Sequence, residues 1–75
     1  MHITKISAIR YRVYLLLVGA GEDQLQHNLT QTARIVKRSI RCIHKHKEAL
    51  LDAGYIVRVP NTLFYDRAPN AKFIE

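Results

Sequence analysis

The stretch SIRCIHKHKEALLDAGYI, residues 39–56, decides how the chain is read. Within five positions it holds Cys42, His44 and His46, and it threads them through Arg41, Lys45 and Lys47. Placed near 100° per residue, the cluster separates. Ile43, His46, Leu50 and Ala53 share one face, flanked by Ile40 and Lys47; Arg41, His44, Lys45, Glu48 and Asp52 take the opposite side. Cys42 and His46, four apart, share a face, but His44 is turned away from both. A metal needs three or four converging ligands, and neither His2 nor His27 has a spacing that completes the set. The expectation is no metal, with Cys42 a small buried hydrophobe and His46 a histidine at the core edge.

What remains is a capped helix of uneven charge. Ser39 is a good N-cap and Gly54 suits the left-handed residue after the C-terminus, so the pattern predicts a helix over 40–53. Its outer face is basic in the first half and acidic in the second. The basic half belongs to a longer run: residues 24–47 contain Arg34, Lys37, Arg38, Arg41, Lys45 and Lys47 and no acid at all. A merely solvated helix face has no need of so one-sided a stretch.

Upstream, apolar residues at 3, 6, 9, 13, 16 and 17 define a first helix, capped by Thr4 or Ser7 and stopped by Gly19-Ala20-Gly21. Tyr11 and Tyr14 read as packing residues on its edge. Leu25, Leu29, Thr32, Ala33 and Val36 then recur at helical spacing. That second helix starts near Asp23, or near Thr30 with 24–28 as a loop or short strand, and it ends near Val36. Downstream of Gly54 the period changes to two. Residues 55–59 and 62–65 are rich in β-branched and aromatic side chains, with Pro60-Asn61 as turn chemistry, and predict a β-hairpin.

Composition narrows the class. Twelve Lys and Arg against six Asp and Glu give +6 in 75 residues, a balance that favours a polyanionic partner. An apolar share of 48% excludes wholesale disorder, and a single cysteine fits a reducing compartment such as the cytoplasm, or the nucleoid of a prokaryote. The apolar run at 13–18 reads as a core helix rather than a leader, and no run approaches a membrane span. Asn28-Leu29-Thr30 matches a glycosylation sequon, a pattern that arises often by chance. One domain is expected over 1–68, with 69–75 as a tail. Without a phosphate-cradling glycine loop or paired carboxylates, and with only Cys42 and His46 as a conceivable thiol and base, no enzyme activity and no cofactor are expected.

Three helices, the third basic, followed by a hairpin resemble the winged helix-turn-helix family of DNA-binding domains. The resemblance is carried by LTQTARIVKRSIRCIHKHKEALLDAGYI, residues 29–56. Ala33 stands where that family places a small residue, Val36 follows three positions on, Ser39 closes the turn, and Ile43 is the buried aliphatic of the third helix. Leu50 to Ile56 form the exit toward the wing. Arg38 stands at a turn position usually apolar, and Lys47 where Leu is frequent. The resemblance implies a mainly α fold, a three-helix bundle plus a small β-hairpin wing, with the third helix in the major groove. The residues expected to meet DNA are Lys37, Arg38, Ser39, Arg41, His44 and Lys45, with Arg58 and Arg67 from the hairpin. The expected function is sequence-specific duplex binding by a small transcriptional regulator without a small-molecule effector. The rival expectation is a winged-helix module that docks a protein within a larger nucleic-acid-processing assembly. Apolar residues around much of the first helix (14–18), with Phe64 and Phe73, are expected to form a homodimer contact.

Overall fold

A computed structural model describes residues 6–69. Three helices, α1 (Ala8–Val18), α2 (Leu29–Val36) and α3 (Ile40–Asp52), precede two short strands, β1 (Ile56–Arg58) and β2 (Tyr65–Arg67). The fold is mainly helical with one two-stranded antiparallel sheet.

Local chemistry sets the helix ends. Of the two candidate caps for α1, Ser7 is the one used, its Oγ accepting from the Arg10 N–H at 3.2 Å; Ile3 and Thr4 lie outside the described residues. Gly19, at φ 79°, ends the helix in the left-handed region. The later start for α2 is the correct one, with 24–28 as a loop. Asn28 caps it and Gln31 reaches back to the Asn28 N–H, a reciprocal pair that satisfies two orphan donors. Ser39 caps α3 through the Cys42 N–H at 3.2 Å. Gly54, at φ 79°, closes it: Tyr55 N–H reaches Leu50 O at 2.9 Å and Gly54 N–H reaches Leu51 O at 3.1 Å, the two bonds of a Schellman ending.

The core joins all five elements. Val13 and Leu17 of α1, Ile43 and Leu50 of α3 and Ile56 of β1 are its most deeply buried apolar side chains. The α1 helix packs against α2, α3 and β2 together, which explains why it is apolar around most of its circumference. Tyr14, Leu16 and Leu17 are buried, and Leu15 and Val18 pack against the same cluster. Tyr14, Leu16 and Leu17, which the sequence expectation placed in a dimer contact, are thus taken up by the core, and β2 packs on α1 in addition to α2 and α3. Phe64 is half-buried within the fold and Phe73 lies outside the described residues.

The hairpin pairs Ile56 with Arg67, Val57 with Asp66 and Arg58 with Tyr65. The second strand thus begins at Tyr65 rather than at Thr62, and 59–64 form the connection. Thr62 causes the shift. Its hydroxyl donates to Val59 O at 3.0 Å and accepts from the Phe64 N–H at 3.1 Å, folding into a turn what β-propensity alone reads as strand. Beyond β2, Ala68 is buried and its N–H donates to Tyr55 O at 2.9 Å; of the expected tail, 69–75, only Pro69 is among the described residues. On the other side of β2, Gln26 Nε2 donates to Tyr65 O at 2.6 Å, tying the α1–α2 loop to the hairpin.

Candidate nucleic-acid interface

The basic residues gather around the α2–α3 turn and the first half of α3. Lys37 sits at φ 58°, and the turn closes by Arg38 N–H to Ala33 O at 3.1 Å and Lys37 N–H to Arg34 O at 3.3 Å. A non-glycine residue there costs on the order of 1–2 kcal/mol; Gln24 and Asn61 adopt the same region. Lys37, Arg38, Arg41 and Lys45 are all exposed. Among the described residues, salt bridges engage Arg12, His27 and Lys47 but none of these four. Arg34, exposed in the last turn of α2 beside them, extends the patch; its place in the acid-free run was the signal for it.

The charge order along α3 opposes helix stability. A helix favours acids in its first turn and bases in its last. Here the first turn holds Arg41 and no acid, the last turn holds no base, and Asp52 closes the helix. Arg41 and Lys45 are four apart, a like-charge spacing that costs roughly 0.2–0.5 kcal/mol. Both features detract from the isolated fold and both suit a helix end that faces an anion.

Between α3 and the hairpin lies a cleft of about 400 Å³. Its walls are Asn28–Thr30 from the start of α2, Ile40 and His44 from α3, and 58–65 from the hairpin, with no acid among them. Arg58 is fixed at its edge, Nη1 donating to the Tyr65 hydroxyl at 3.4 Å and the guanidinium lying 5.8 Å from the Tyr65 ring centre. The structure thus joins His44 and Arg58, from distant parts of the sequence, in one place. It does not bring Arg67 there: Arg67 pairs with Ile56 at the base of the hairpin, close enough to Tyr14 to act on its phenol. Ser39 Oγ accepts the Cys42 N–H as the cap, and its O–H is a donor in no hydrogen bond among those of the described residues.

Two inward-facing groups refine the wheel. Lys47 is only 6% exposed; its stem is buried and its ammonium donates to Glu48 Oε1 at 2.7 Å. Ile40 and Ala53, placed by the wheel on or beside the buried face, are exposed instead. His46 is half-buried and accepts at Nδ1 from Arg10 Nε at 3.2 Å, a contact that links α3 to α1. Burial, then the charges of Arg10 and Arg38, hold its pKa below the ordinary histidine value.

A histidine depressed in the folded state stabilises fully above its unfolded pKa, near 6.5, and that stability is lost as pH falls through the folded pKa. Melting followed from pH 7.5 to 5 is expected to show the wild type losing more stability than His46→Gln, which keeps an acceptor for Arg10 but does not titrate. Asp23 and Glu48, held low by the Leu25 N–H and by Lys47 respectively, act only below their ordinary values of 3.8 and 4.5. Parallel pH profiles for the two proteins would contradict the assignment.

Among the described residues, no three of His, Cys, Asp and Glu converge as a metal would require, and no helix is long and apolar enough to cross a membrane. Comparison with protein families, with curated proteins and with solved structures finds no match.

Proposed function

We propose that the chain is a winged helix-turn-helix domain that binds double-stranded DNA in a sequence-specific manner, as a small transcriptional regulator. The observation that carries this reading is the patch of Lys37, Arg38, Arg41 and Lys45, exposed and outside every salt bridge among the described residues, at the end of α3 where cations least favour the helix. In this reading the first turns of α3 enter the major groove. Arg41 and Lys45 donate to guanine O6 and N7, while Lys37, Arg38 and the Ser39 hydroxyl hold phosphates. The cleft between α3 and the hairpin, lined by His44 and Arg58, lies along the sugar-phosphate strand. Two copies on a two-fold site remain the proposed stoichiometry, through a face other than the buried side chains of α1.

Fluorescence anisotropy with labelled mixed-sequence duplexes tests the proposal. With Lys37, Arg38 and Arg58 on phosphates, log K is expected to fall with log salt at a slope of about −3. Selection from a random duplex pool is then expected to enrich a defined sequence. Salt-independent binding, or none, would reject the reading in favour of a module that docks a protein.

A further inference from the structure

The tip of the hairpin is not built like the rest of the basic surface. Residues 59–64, Val-Pro-Asn-Thr-Leu-Phe, carry no charge, and the hairpin cations stand below them, Arg58 tied to Tyr65 and Arg67 at the base. The tip nevertheless holds its shape. Pro60 has a fixed φ, Asn61 is left-handed at φ 63°, Val59 N–H donates to Phe64 O at 3.2 Å, and Thr62 N–H donates to Val59 O at 3.3 Å. With the two Thr62 hydroxyl bonds, this network presents Leu63 outward at 74% exposure, above Leu25 at 60%, Ile40 at 43% and Val57 at 42%. Leu63 also lines the cleft that Ile40 and His44 line from α3, so the tip stands across that cleft from the first half of the basic helix.

A tip without charge releases no counterions from DNA. What it offers is a rigid, exposed branched aliphatic side chain next to the helix that carries the basic patch. We infer that Leu63 is an apolar wedge: with α3 in the major groove, the tip passes the sugar-phosphate strand and inserts Leu63 from the minor groove at a base step, which it partly unstacks. This inference rests on the DNA-binding reading and adds to it a bend and a step preference. Pyrimidine–purine steps, TA and CA, unstack most readily and are the steps the wedge selects. Thr62 and Pro60 act only by holding the turn.

The test uses the full chain and short mixed-sequence duplexes carrying a central TA step, with donor and acceptor dyes at the two ends. Wild-type protein is expected to raise energy transfer on binding, from a kink on the order of 20–90°. Leu63→Ala is expected to bind about ten-fold more weakly with unchanged salt slope, to lose the rise in energy transfer, and to melt with the wild type because the side chain is exposed. Leu63→Met is expected to retain most of both effects. Wild-type binding without a bend, or a bend and affinity preserved in Leu63→Ala, overturns the wedge and leaves DNA binding standing. Absence of salt-dependent duplex binding by the wild type overturns both.

Discussion

The double variant Arg41→Ala, Lys45→Ala is expected to lose roughly 100-fold in affinity for its selected duplex while melting at or slightly above the wild-type temperature. A good bidentate contact to guanine discriminates by about 1–3 kcal/mol, and a factor of ten is about 1.4 kcal/mol, so two lost contacts reach that size. Stability is expected to hold for a separate reason. Neither side chain takes part in a salt bridge among the described residues, both are exposed, and the pair sits at a repulsive spacing against the helix dipole. Removing it relieves the folded state. Anisotropy titration of the variant and a thermal melt separate the two quantities. A melting point that falls with the affinity would show that these cations support the fold, and would remove the main support for the interface.

The parts legible in the sequence were those fixed by local chemistry. Ser39 and Gly54 bound α3 as the residue types require, and the 3.6-residue period placed Ile43 and Leu50 inside and Arg41, His44 and Lys45 outside. Other features depend on elements far apart in the chain. The packing of α1 against β2, the Arg10–His46 link and the meeting of His44 with Arg58 have no local signature. A third group had a signature that other readings displaced. Asn28 and Gln31 have the spacing of a capping box, yet Asn28-Leu29-Thr30 draws the eye as a sequon. The hydroxyl of Thr62 turns a β-branched residue into a turn former, and Leu63 stands out only once that turn is known to hold it in solvent.

Ile43→Ala is expected to have the largest effect on folding, and its contrast with Ile40→Ala tests the orientation of α3 itself. Both residues are isoleucine on one helix, three positions apart. Ile43 is fully buried, whereas Ile40 is 43% exposed. Emptying a buried isoleucine site costs about 2–5 kcal/mol, and a chain of 75 residues has roughly 4–11 kcal/mol in total. At about 4–8 °C per kcal/mol for a domain of this size, Ile43→Ala lowers Tm by about 8 °C or more. In urea its midpoint falls with the m-value unchanged. Ile40→Ala leaves no closed cavity and is expected to cost about 1 kcal/mol or less. If the two variants lost equal stability, or if Ile40→Ala lost more, α3 would be turned about its axis from the orientation described. Arg41 and Lys45 would turn with it, because on one rigid helix the direction of the cations is set by the direction of Ile43. The stability difference between two isoleucines therefore tests the interface without any DNA present.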